Sequence, residues 1–74
     1  MPEKYDKYEK YARLKKLLAE NHIPHWKCAA LAVIRERTFR YKMSRTGSRF
    51  TDTEMFAIQR NVFPDKTLEE IFGE

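Results

Sequence analysis

The stretch PHWKCAALAVIRERTFRYKMS, residues 24–44, decides how this chain folds. Pro24 suits the first position of a helix, where a missing N–H has no partner to lose. Cys28, Ala29 and Ala32 follow with small side chains that let a second helix approach closely. After a tight turn of three or four residues, a further helix is predicted from Arg35-Glu36 to about Ser44. At about 100° per residue, Met43 falls about 40° from Phe39, whereas Arg40, Ser44, Arg37 and Tyr41 fall between about 100° and 200°. Phe39 and Met43 therefore predict a buried stripe, with an arginine-rich arc turned away from it. Two short helices joined in this way, the second cationic, suit the brace-and-read arrangement of a helix-turn-helix.

Outward from this centre the chain reads as helices throughout. Tyr11, Leu14, Leu17 and Leu18 form one apolar stripe and predict a first helix. Asn21-His22 ends it, with Asn21 as the residue expected to take the left-handed conformation of a helix terminus. Residues 1–10 are mostly charged, and Tyr5, Tyr8 and Tyr11 recur every three residues. That segment predicts a frayed extension of the first helix ahead of a single domain over 11–74. Gly47 marks the loop after the central pair. Thr51 and Glu54 have the spacing of a capping box, and Met55, Ile58 and Val62 supply the buried stripe of the helix they start. Pro64 interrupts that helix. Thr67 and Glu70 repeat the box for a short last helix that buries Leu68, Ile71 and Phe72. The prediction is an all-α, compact five-helix domain.

Charge is unevenly placed. The chain carries +4 overall. Residues 35–49 hold Arg35, Arg37, Arg40, Lys42, Arg45 and Arg49 against Glu36 alone, a balance of +5. Residues 50–74 hold Arg60 and Lys66 against six acidic side chains, a balance of −4. Such concentration is the footprint of a surface for a polyanion, and also the pattern of a solvated face.

Other classes find little support. The single cysteine, Cys28, has no partner in the chain, which suits a reducing cytoplasm and a small core residue. The longest apolar run, Cys28 to Ile34, is seven residues, too short for a membrane span or a signal core. A cytoplasmic protein with no membrane role is expected. His22, His25 and Cys28 recur every three residues, but a structural zinc site needs four ligands, so no metal is expected. The residues offer no glycine-rich phosphate loop, nucleophile motif or convergent carboxylate pair. A miniature of this size has little room for a small-molecule substrate, so neither an enzyme nor a cofactor is expected.

In order and spacing, residues 14–72 resemble the helix-turn-helix regulators of the phage repressor and Cro class, the XRE family, especially short prophage-type members. The stretches that carry the resemblance are Leu14-x-x-Leu17 with Ile23, His25-x-x-Cys28-Ala29, Ile34 to Met43, Phe50-Thr51-x-x-Glu54, and Phe63-Pro64-Asp65-Lys66-Thr67-Leu68-Glu69-Glu70-Ile71-Phe72. Val33 stands where that family often has glycine. A β-branched side chain is disfavoured at a positive φ, which predicts a differently shaped turn. The loop from Met43 to Phe50 is one residue longer than usual.

The resemblance implies a lambda-repressor-like fold and a sequence-selective transcriptional repressor, a homodimer on double-stranded DNA. It places Glu36, Arg37, Arg40 and Tyr41 at base edges, and His25, Trp26, Arg35, Arg45 and Arg49 at phosphates. The residues themselves leave alternatives open. Glu36 pairs with Arg40 or accepts from cytosine. Trp26 packs or donates to phosphate. Tyr41 meets DNA or covers surface. The whole chain also admits a helical protein-interaction module acting through Tyr5, Tyr8, Tyr11 or the acidic tail, or a nonspecific nucleoid or RNA-binding protein.

Overall fold

The helix ends of this protein explain its shape, and the computed structural model describes them over residues 10–73. The expected N-terminal extension, with Tyr5 and Tyr8, lies outside these residues apart from Lys10. Among the described residues the chain forms five helices and no strand. They are α1 (Ala12–Glu20), α2 (His25–Leu31), α3 (Glu36–Met43), α4 (Asp52–Asn61) and α5 (Leu68–Phe72). No helix among them is long and apolar enough to cross a membrane.

α1 and α2 close with the same hydrogen-bond pattern. At the end of α1, His22 N–H donates to Ala19 O (3.2 Å) and Ile23 N–H to Leu18 O (2.8 Å). At the end of α2, Val33 N–H donates to Ala30 O (3.1 Å) and Ile34 N–H to Ala29 O (2.8 Å). This paired closure satisfies carbonyls that would otherwise be orphaned, and it requires a left-handed residue just past the cap. His22 fills that place at φ 55°, not Asn21, which is the cap itself at φ −97°. Asn21 instead turns its side-chain amide onto Leu17 O at 2.8 Å.

Val33 fills the equivalent place after α2 at φ 57°. The turn therefore keeps the shape that glycine would give it, against the expectation of a different one. Two backbone hydrogen bonds and the half-buried Ile34 beyond them outweigh the local strain of a β-branched residue. Asn61 of α4 reinforces the turn by donating to Leu31 O at 3.0 Å. Pro24 stands one place earlier than predicted. It is the N-cap of α2 in extended backbone (ψ 158°), and its carbonyl accepts from Lys27 and Cys28 N–H.

Both capping boxes form. Glu54 N–H donates to Thr51 Oγ1 while Thr51 N–H donates to Glu54 Oε1, and Thr67 with Glu70 repeats the exchange before α5. The core gathers Leu14 and Leu18 of α1, Cys28 and Ala29 of α2, Ala32 in the turn, Phe39 and Met43 of α3, Ile58 of α4 and Ile71 of α5. Met55 and Val62, read as part of α4's buried stripe, are only half-buried at its edge, as is Leu68. Phe50 and Phe63, outside any helix, are buried as fully as the helical residues. Phe50 lies 5.4 Å from the Phe39 ring, 5.1 Å from Tyr11 and 6.3 Å from Phe72. Each such aromatic pair adds about 0.5–1.5 kcal/mol to the burial of the rings themselves. α2 packs against α3 and α4, and α5 against α1 and α4, so α3 rides on one side of the bundle.

Candidate nucleic-acid interface

α3 is amphipathic, and its two faces differ sharply. Phe39 and Met43 lie in the core at 0% and 4% exposure, which anchors the helix from beneath. Arg37, Arg40 and Tyr41 are exposed, as the angular spacing predicts, and so is Glu36. Glu36 and Arg40, four residues apart, form an ion pair at 2.9 Å on the open surface. Pairs of this kind contribute a few tenths of a kcal/mol, so the contact orients the Arg40 guanidinium more than it stabilises the helix.

Lys42 departs from the basic arc. Its ammonium donates to Glu54 Oε1 at 2.7 Å, and both side chains are mostly buried. Of the six basic residues in 35–49, this one is thus committed to holding α3 against the start of α4. Spacing alone gave no hint of it, since the partner is twelve residues away.

The approach to α3 is lined from other elements. His25, the first residue of α2, is half-buried with its ring edge-on to Phe39, 5.7 Å between centroids. Burial, with the positive charges of Lys15 and Arg40 nearby, pushes its pKa below the usual 6.5. Trp26 beside it is 56% exposed, so much of its ring faces solvent. The buried residues of α2 are Cys28 and Ala29. Arg35, the N-cap of α3, is exposed.

The loop after α3 carries the remaining arginines. Arg45 and Arg49 are exposed, and the Arg49 guanidinium stacks over the Tyr11 ring at 5.7 Å. Gly47 sits so close to the Tyr41 carbonyl that a Cβ has no room there. The loop backbone is held by a residue distant along the chain. Lys10 donates to Ser44 O (3.1 Å), Gly47 O (2.8 Å) and Ser48 O (3.0 Å). Next to it, the Tyr11 hydroxyl accepts from Phe50 N–H at 2.9 Å. Burial, and then the charges of Arg49 and Lys15, lower the pKa of Lys10 from its ordinary value. Tyr11, read as part of an aromatic contact stripe, is half-buried against Phe50 and Phe72.

The expected site residues thus fall into two groups. Arg37, Arg40, Glu36 and Tyr41 share the outer side of α3, with His25 brought to its edge through Phe39. Arg45 and Arg49 sit on the braced loop, where sequence reasoning missed Lys10 altogether and read Tyr11 for its ring but not for its hydroxyl. Cys28 is fully buried, and its thiol pKa is pushed up to about 12 by desolvation. Among the described residues no cluster of His, Cys, Asp or Glu is suited to a metal ion. Comparison of the chain with protein-family models, with curated proteins and with solved structures found no match.

Proposed function

We propose that this protein is a sequence-selective DNA-binding transcriptional regulator of the phage-repressor type, acting as a cytoplasmic homodimer on paired half-sites. The observation that carries the reading is α3. It is a short helix pinned by Phe39 and Met43 whose outer side offers Arg37, Arg40, Tyr41 and Glu36. The major groove admits a helix of this kind, and guanidinium groups discriminate guanine there. In this reading Arg37 and Arg40 read base edges with Tyr41, and Glu36 trades its Arg40 partner for a cytosine amine. Arg35, Arg45, Arg49, His25 and Trp26 meet phosphates around it. Phosphate contacts set the register and base contacts choose the sequence. The glycine-like shape of the Val33 turn supports the same lambda-repressor-like arrangement.

The test is selection of preferred duplexes from random DNA with the purified protein, followed by titration of the selected site at several salt concentrations. The proposal expects one recurrent motif, with log Kd changing by about 0.9 per decade of salt for each phosphate contacted. Equal binding to every duplex overturns the sequence-selective reading in favour of a nonspecific binder. A second reading, a helical protein-interaction module, draws on the exposed apolar side chains Leu31, Val33 and Phe56. Absence of duplex binding at low salt favours it.

A further inference from the structure

We propose that Lys10 is a positioning residue for the loop after α3, fixing Arg45 and Arg49 for their phosphates without itself touching DNA. The inference rests on the DNA-binding reading for its purpose, but its physical part concerns the free protein.

An ammonium group has three donors and no acceptor. All three donors of Lys10 are spent on carbonyls of a single loop, those of Ser44, Gly47 and Ser48. The ammonium therefore draws one side of the loop backbone toward itself, 34 to 38 residues away along the chain. Tyr11 completes the clip by accepting from Phe50 N–H at the loop's far end and by carrying Arg49 on its ring. The loop's start is further held by the Ser44 hydroxyl, which donates to Tyr41 O at 2.6 Å, and by the close packing of Gly47 on that carbonyl. Among the described residues the loop's internal backbone hydrogen bonding amounts to Gly47 N–H on Ser44 O, at a long 3.3 Å. The amides of Arg45, Thr46, Ser48 and Arg49 find no acceptor among those residues. A loop with so few bonds of its own samples many conformations unless it is tied, and ordering it on binding costs conformational entropy. The tie is Lys10. Its ammonium also lies 5.5 Å from the centre of the Tyr11 ring, but Lys10 is not among the buried core residues, so losing it should loosen the loop and leave the bundle.

This role separates from two simpler ones. A lysine that meets phosphate directly contributes one contact to the salt dependence, additively with any other. A lysine that acts through Arg45 and Arg49 contributes more than one, and its effect disappears once those arginines are gone.

The experiment compares the whole chain with Lys10→Met and Lys10→Gln, each alone and combined with Arg45→Gln and Arg49→Gln. In the free proteins, amide order parameters should fall over residues 45–49 in the Lys10 variants, while those of α3 and α4 and the melting temperature stay close to wild type. On the selected duplex, Lys10→Met should weaken binding about tenfold and lower the log–log salt slope by about 1.8, two phosphates at about 0.9 each. In the background lacking both arginines it should change affinity by less than about twofold. An unchanged loop in the free variants overturns the proposal. So does a slope change of about 0.9 that adds to the arginine effects, since Lys10 then meets phosphate itself. A wild-type chain that binds no duplex sinks the regulator reading instead, and the order parameters alone still decide whether Lys10 fixes the loop.

Discussion

Lys42 of α3 and Glu54 of α4 meet at 2.7 Å on the same carboxylate oxygen that accepts the Thr51 amide at 2.9 Å. One carboxylate thus closes the cap of α4 and ties the candidate recognition helix to it. Because both partners are mostly buried, the contact differs in kind from the open pair of Glu36 and Arg40. Losing one partner leaves the other charge poorly solvated.

Stability and DNA affinity should therefore separate along α3. Lys42→Met is expected to lower stability by about 1–2 kcal/mol while leaving the salt slope of DNA binding at its wild-type value. Arg37→Ala should do the reverse, with stability unchanged within about 0.5 kcal/mol, affinity reduced by about 1–3 kcal/mol and one base position blurred. Urea unfolding and duplex titration of the same two variants check this. A Lys42→Met protein with a reduced slope returns Lys42 to the proposed DNA-binding surface.

Val33 offers a gain. Its left-handed φ costs a β-branched residue about 1–2 kcal/mol, and at 87% exposure the side chain contributes little packing in return. Glycine pays back part of the difference in unfolded-state entropy. Val33→Gly is expected to stabilise the fold by about 1 kcal/mol, which for a domain of this size raises Tm by about 4–8 °C. A calorimetric scan showing a lower Tm contradicts the strained turn.

Acid should weaken the fold in two pH windows. Burial, with Lys15 and Arg40, holds the His25 pKa below 6.5, so the unfolded chain binds this proton first. The stability His25 contributes is complete above about pH 6.5 and is lost as pH falls through its folded value. Glu54 follows. Burial alone would raise its pKa, but the hydrogen bond from Lys42 and that from the Thr51 amide bring it below the usual 4.5. Its contribution is complete above about pH 4.5 and is lost below it. Urea midpoints measured from pH 7.5 to 3.5 should decline in both windows. His25→Gln should flatten the upper one and Glu54→Gln the lower. A wild-type midpoint that stays level between pH 7 and pH 5 contradicts the His25 part.

Local rules were legible in the sequence, and long-range ones were not. Thr51 with Glu54 and Thr67 with Glu70 could be read because both partners lie within one helical turn. The two sides of α3 followed from angular spacing about Phe39. The left-handed residues escaped, since His22 and Val33 take that conformation to complete closing hydrogen bonds, against their own preference. Phe50 and Phe63 carry no periodic signal in irregular segments, yet the core closes over them. Residue type left Trp26 open between packing and phosphate contact, and its exposure is set by which side of α2 faces its neighbours. At the candidate interface the exposed arginines were legible. The commitment of Lys42, and the clip formed by Lys10 and Tyr11, depend on chain crossings that no spacing encodes.

Cys28 turns the molecule into its own stopwatch. A thiol sealed in the core and reluctant to ionise meets an alkylating reagent only in molecules that have opened. Its labelling should be slower than that of the urea-unfolded chain by the folding equilibrium constant, on the order of 10³ or more for a domain of this size. A single mass measurement over time then reports how often the bundle comes apart, with no dye or tag added to the chain.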